Sequence, residues 1–379
     1  MFNRRSLLTA AGAAAGLGLG STLARAETPD DGPAPAAPDL AAILAQTGAP
    51  AVAGAVVGPE GLIANHASGK RRVGAEDEVT DRDLWHIGSN TKAMTAALYG
   101  LLVDQGKASW ETPLAKLFPA VAADPAFETI TISQMMGHRA GILDAPVMQG
   151  GFLFQAHQDK RPVAVQRREL AARVISKPPA GPVGEFAYGN LNYILLGAAI
   201  EAITGEAWED AITARLFRPL GMTTAGFGAP TGSNPWGHRP PFAEGGALTP
   251  VDPAGLADNP PVLGPAGRVH LSAGDYARFL RLFLADGGGV LKPQTITRLT
   301  TPITGPGQSY ALGWGVLQPP WGRGPVFVHE GSNTFWHTVT LVAPGRQRAM
   351  VGFCNAGPEA SKGAARLVAA ALRRQYAPD

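Results

Sequence analysis

The amino-acid sequence predicts an α/β fold in which both chain ends contribute to one sheet and the middle of the chain is mostly helical. Three observations carry this expectation. Strand-like runs begin the folded part: residues 52–57 and 62–68 read as a hairpin around the turn Gly58-Pro59-Glu60-Gly61. Similar runs return only near the C-terminus, at 310–316, 326–328, 338–342 and 349–353. Between them lie helical intervals of three and four, as in Ala93, Met94, Ala97, Leu98, Leu101 and Leu102, and residues 359–376 repeat that period at the end of the chain.

The 379-residue length allows a large domain or two lobes, and interleaved lobes fit the pattern. Residues 41–110 and 305–379 form the expected α/β lobe, and 111–304 the helical lobe with its loops. The Pro- and Gly-rich stretch 226–267 is the main irregular region and carries Trp236, His238 and Asp258. Loops longer than about 15 residues are usually functional or disordered.

The N-terminus suggests export. Asn3-Arg4-Arg5-Ser6-Leu7-Leu8 reads as a twin-arginine signal, and an apolar stretch interrupted by glycines leads to the small-x-small site Ala24-Arg25-Ala26. Residues 1–26 are expected to be the signal peptide, 27–40 a Pro/Ala-rich linker and 41–379 the working domain, periplasmic or secreted after cleavage. Losing residues 1–26 removes Arg4, Arg5 and Arg25 and no acid, so the net charge falls from +2 to −1. A near-neutral chain with 16% charged residues has no electrostatic case for nucleic acid or an anionic membrane. The one cysteine, Cys354, has no internal disulfide partner and reads as a core residue.

Chemistry is announced at Ser89-Asn90-Thr91-Lys92. Side chains three apart on a helix share a face, so the Lys92 amine can take the proton that a serine hydroxyl must lose to become a nucleophile. A helix start also favours negative charge and disfavours a protonated lysine. Tyr188-Gly189-Asn190 adds a hydroxyl able to relay protons and an amide able to hold a lysine or a substrate oxygen. His329-Glu330-Gly331-Ser332 follows an apolar run, and its glycine lets a substrate approach backbone N–H groups. The other histidines are scattered and read as structural. The chain has no His-Glu-x-x-His, cysteine pair, phosphate loop or Gly-x-Ser-x-Gly elbow, so neither a metal nor a cofactor is expected.

In this order the three elements resemble the serine β-lactamase and penicillin-binding superfamily, and within it the class C-like branch. That branch holds class C β-lactamases, D-alanyl-D-alanine carboxypeptidases, D-aminopeptidases and family VIII carboxylesterases. The stretches 129–142, 216–222, 265–280 and 310–316 resemble it too, so roughly residues 41–376 are covered. The resemblance implies an antiparallel sheet flanked by helices, with Ser89 as acylated nucleophile and Lys92 with Tyr188 as the proton-handling pair. It further implies that Asn190 holds the acyl side, that His329, Gly331 and Ser332 line the substrate, and that the N–H groups of Ser89 and Ser332 form an oxyanion hole.

One departure bears on substrate. His329 and Glu330 stand where the β-lactamases have the lysine and threonine of Lys-Thr-Gly. His329 is expected to titrate near its ordinary value of about 6.5. Glu330 is expected either to face the cleft and repel a substrate carboxylate or, by strand alternation, to turn away. The resulting expectation is an acyl-enzyme hydrolase of esters, amides or D-amino acid peptides with weak or no β-lactamase activity. A true β-lactamase or D,D-carboxypeptidase is the alternative within the class, and a non-catalytic penicillin-recognising binding protein the alternative outside it.

Overall fold

The computed structural model describes residues 37–241 and 246–379. The expected signal, 1–26, and most of the expected linker, 27–40, lie outside these residues. The folded part opens with helix α1 (Leu40–Thr47), whose first turn donates Ala42 N–H to the Asp39 carboxylate at 2.9 Å.

Eleven strands follow among the described residues: β1 (Ala51–Gly58), β2 (Gly61–Gly69), β3 (Leu84–His86), β4 (Gly226–Phe227), β5 (Gly237–Arg239), β6 (Thr249–Val251), β7 (Val269–Ser272), β8 (Gly315–Leu317), β9 (Val326–Ser332), β10 (His337–Ala343) and β11 (Arg348–Cys354). The main sheet has six strands in the order β2-β1-β11-β10-β9-β8, antiparallel throughout. The chain ends meet where β1 pairs with β11, from Val52 opposite Cys354 to Val57 opposite Ala349. β1 is buried on both faces, which explains its unbroken run of small apolar residues.

Both faces are covered. Val52, Val56, Met350 and Cys354 pack with the C-terminal helix Ala364–Tyr376 through Ala364, Ala365, Val368 and Leu372. Gly54 and Gly352 sit opposite one another on this face. A Cβ on Gly352 would lie 2.1 Å from the Ala365 carbonyl, so the glycine lets the helix backbone rest directly on the sheet. The alternate residues Ala51, Ala53, Ala55, Val57, Val351 and Phe353 join the large core on the other face. Cys354 is buried and free, its thiol pushed up to about 12 by burial.

Helix α2 (Thr91–Asp104) runs through that core with every residue from Thr91 to Leu102 buried. A helix apolar on all sides belongs inside the protein, and this one carries Lys92 with it. Two expectations are corrected. The 310–316 stretch is not one continuous strand: Gly313 turns at φ +97°, with a Cβ there 2.8 Å from Ala93 Cα, so Tyr310 folds back to bridge Gly315 and the strand itself is only β8. The last helix begins at Ala364 rather than near 359, after a turn whose Gly363 has φ +75°. Among its described residues the 226–267 stretch is irregular as expected, broken only by β4, the β5–β6 pair and two short turns of helix.

Candidate active site

β3 leads into the Ser89 turn. It ends at His86, Ile87 N–H bonds to the Val269 carbonyl at 3.0 Å, and the chain then makes one tight helical turn, Gly88–Asn90, into α2. Gly88 has φ +50°, and a Cβ on it would lie 2.3 Å from Ser332 N. Gly331 makes the reciprocal approach, since its Cβ would lie 2.1 Å from the Ile87 carbonyl and 2.7 Å from Ser89 N. Two glycines therefore let the end of β9 lie backbone to backbone against the serine turn, which brings Ser89 N and Ser332 N to one place. Asn90 pins the turn from below, donating to the Ile87 carbonyl at 2.9 Å and accepting from the Tyr276 hydroxyl at 3.1 Å.

Lys92, one turn on, has no solvent exposure. Its Nζ lies 3.0 Å from Ser89 Oγ, 2.8 Å from Asn190 Oδ1 and 2.8 Å from the Ala266 carbonyl. Asn190 and Ala266 offer acceptors. A neutral amine fits this arrangement by donating its two hydrogens to them and turning its lone pair to the serine. Burial pulls the Lys92 pKa from 10.5 down to about 7, against an opposing pull from the Asp144 carboxylate.

The Tyr188 ring lies 4.9 Å from Lys92 Nζ. Its open edge leaves the residue 46% exposed, while the hydroxyl is packed beside Ser89. Burial raises the hydroxyl's pKa, and the Ser89 contact offsets only part of that, so Tyr188 holds its proton at neutral pH. Beneath it, His138 stacks at 4.5 Å with its Nδ1 accepting from Gly189 N–H at 3.3 Å. Asn190 opens the helix Asn190–Thr204, whose start is capped from outside the segment: Asp144 accepts from Asn190 N–H at 2.8 Å and from Leu191 N–H at 2.9 Å.

The third element differs from expectation. His329 is 5% exposed and lies behind Tyr310 rather than on the cleft wall. Its Nδ1 is 3.0 Å from the Glu330 carbonyl, which can only accept, so Nδ1 carries the proton and Nε2 accepts from the Tyr310 hydroxyl at 3.0 Å. Burial first, and Lys92 second, hold its pKa at about 3, so it does not titrate near 6.5. Glu330 points to the opposite face of β9. Burial pushes its carboxyl up, but bonds from His337 Nε2, at 2.7 Å, and from Arg366 of the C-terminal helix prevail and hold it at about 2. The expected repulsion of a substrate carboxylate by Glu330 has no structural basis.

Ser89, Tyr188, Asn190 and Ser332 open onto one cleft of about 190 Å³, with Met148, Leu153 and Leu263 on its apolar side and Asn259, Asn333 and Thr334 on its polar side. None of the described residues that line it is charged. The 226–267 stretch supplies part of the wall through Asn259, Leu263, Ala266 and Gly267. Asp258 lies just behind, 3.1 Å from His86 Nε2 and accepting from Arg268 at 3.1 Å and Asn333 at 2.8 Å. His238 and Trp236 serve the scaffold: His238 bonds Asn355 and Val73, and Trp236 stacks under Arg72. Sequence reasoning missed Asp144, His138, Tyr310 as the His329 partner, and the Ala266 carbonyl. None has a local signature beyond lying in or near a stretch of family resemblance.

The chain matches the Beta-lactamase family over residues 37–374. It is 28% identical over 293 residues to Penicillin-binding protein 4 of Amycolatopsis lactamdurans, covering 74% of each chain. It is 27% identical over 293 residues to the Unguisins hydrolase ungD' of Aspergillus campestris, covering 72% of this chain and only 51% of that hydrolase. Its fold superposes on the D-amino acid amidase of Ochrobactrum anthropi SV3 complexed with L-phenylalanine amide, with a TM-score of 0.69 at 21% identity over 88% of this chain and 96% of the amidase. A match that runs from the first helix into the last makes this chain a member of the Beta-lactamase family and a serine hydrolase.

Proposed function

We propose that this protein is an exported hydrolase that forms an acyl-enzyme on Ser89 and cleaves esters or amides, D-amino acid peptides included, whose groups next to the scissile bond are uncharged. The observation that carries the acyl-enzyme reading is the placement of Lys92 Nζ, with acceptors at Asn190 and Ala266 and its remaining direction on Ser89 Oγ. As Oγ attacks the carbonyl carbon, its proton passes to Lys92, and the N–H groups of Ser89 and Ser332 hold the oxyanion, about 3 kcal/mol per donor. The Tyr188 hydroxyl gives its proton to the leaving alcohol or amine and is reprotonated through Lys92. Water then attacks the ester on Ser89, its proton returns through the same pair, and the acid leaves as Ser89 regains its hydrogen.

The substrate class follows from charge. β-Lactams and D-alanyl peptides carry a carboxylate beside the bond to be cut, and the described residues lining the cleft offer no cation to receive it while His329 stays neutral. The names of the penicillin-binding relative and of the amidase with the same fold support acyl chemistry at a carbonyl. Export rests on the Arg4-Arg5 segment and the Ala24-Arg25-Ala26 site.

Fluorophosphonate labelling followed by peptide mapping tests the reading, and the adduct is expected on Ser89. Ser89→Ala abolishes labelling and turnover, while Lys92→Ala lowers turnover by roughly 10²- to 10⁴-fold. Short p-nitrophenyl esters should exceed nitrocefin in kcat/KM. Nitrocefin cleavage above about 10⁵ M⁻¹s⁻¹ would restore the β-lactamase alternative. Stoichiometric labelling without turnover of any ester or amide would restore the binding protein.

A further inference from the structure

Asp144 takes no part in the steps above, yet the start of the Asn190 helix and the charge of Lys92 both feel its carboxylate. A helix start leaves N–H groups unpaired. Here Gly189 has no side chain to cap them, and the Asn190 side chain is turned to Lys92. Asp144 fills the role from 46 residues away, one oxygen on Asn190 N–H at 2.8 Å and the other on Leu191 N–H at 2.9 Å. Gly189 makes room for it, since a Cβ there would lie 2.9 Å from Asp144 Oδ1. The Asp144 carbonyl also accepts from Met148 N–H at 2.8 Å, and Met148 lines the cleft.

We propose that Asp144 is a positioning residue that holds Asn190 against Lys92 and whose negative charge acts on the Lys92 amine across the same contacts. The ionisable groups acting at Lys92 are few. Tyr188 and Tyr193 lie with their rings 4.9 and 5.8 Å from Nζ, and both keep their protons because burial raises them. His138 and His329 are buried and neutral at working pH. Among the described residues Asp144 is the acid whose charge acts on Lys92. It opposes burial, so removing its charge moves the amine further toward the neutral form. A carboxylate on a helix start also screens the positive dipole end that faces the lysine, which works in the same direction.

The inference rests on Ser89 and Lys92 being the acylating pair, and the experiment separates the two claims. Asp144→Asn and Asp144→Ser remove the charge and keep an acceptor, while Asp144→Glu keeps the charge and displaces it. For each folded variant, the rate of Ser89 labelling by a fluorophosphonate and kcat/KM for p-nitrophenyl butyrate are measured from about pH 5 to 9. The acid limb should move down by about one pH unit in the Asn and Ser variants and stay in place in the Glu variant. The high-pH plateau should fall roughly tenfold in all three, because Asn190 is less well held. If either neutral variant folds and its limb overlays that of the wild type, the charge role is overturned; an unchanged plateau overturns the positioning role. If both neutral variants fail to fold while Asp144→Glu folds with a shifted limb, the charge role is likewise refuted. A wild type that shows no labelling of Ser89 overturns the acylating pair itself.

Discussion

The protonation of Lys92 gives the most demanding test of the site, with pH as the perturbation. Burial lowers the amine from 10.5 to about 7, which at 1.36 kcal/mol per unit disfavours the ammonium by roughly 5 kcal/mol. The neutral fraction is then about 10% at pH 6 and about 90% at pH 8, against about 0.3% at pH 8 for an unperturbed lysine. The fold thus raises the neutral fraction of Lys92 about 300-fold at that pH. For a substrate that does not itself ionise, kcat/KM should rise about tenfold from pH 6 to pH 8, with the slope of a single proton. No second limb belongs in that window: His329 sits at about 3, His138 lies well below 6.5, and Tyr188 lies above 10. The assay is initial-rate hydrolysis of p-nitrophenyl butyrate by wild type and by His329→Gln, corrected for p-nitrophenol ionisation. A flat profile, a midpoint above about 9, or a midpoint that moves with His329→Gln would refute the reasoning. The same shift has a sign for stability. With the folded pKa below the unfolded one, the unfolded chain binds more protons between about 7 and 10.5, so the Lys92 contribution to stability rises with pH across that window.

Three further outcomes are expected. Glu330 is depressed from 4.5 to about 2 with its side chain 18% exposed, so its charge contributes roughly 3 kcal/mol above about pH 4.5, lost as pH falls through 2; urea unfolding at pH 7 and at pH 2 should show Glu330→Gln losing stability only at the higher pH. Gly331→Ala places its Cβ 2.1 Å from the Ile87 carbonyl and 2.7 Å from Ser89 N, backbone atoms that cannot give way cheaply; kcat/KM should fall at least about a hundredfold through displacement of an oxyanion donor, read by ester hydrolysis on material shown to be folded by circular dichroism. Leu98→Ala empties a fully buried position on α2 and should cost about 2–5 kcal/mol in urea unfolding while leaving the midpoint of the pH profile where it is.

Sequence alone determined what is local. Strand-like runs bounded by turn residues located β1, β2, β10 and β11 to within a residue or two, because a strand buried against a core on one or both faces must write that burial into its own side chains. The Ser89-x-x-Lys92 pairing was legible for the same reason, since residues three apart on a helix meet whatever the rest of the chain does. Tertiary structure decided which face, which partner and which charge. Alternation puts His329 and Glu330 on opposite sides of β9, but only the packing of Tyr310 on one side and Arg366 on the other tells which side is the cleft. Asp144 carries no mark in the sequence, because its role depends on a helix that begins 46 residues later. The charge of Lys92 at neutral pH is legible from no segment by itself: it is set by burial among elements that include α2, the Tyr188 loop and the Ala266 segment, opposed by the Asp144 charge, and these meet only once the chain has folded.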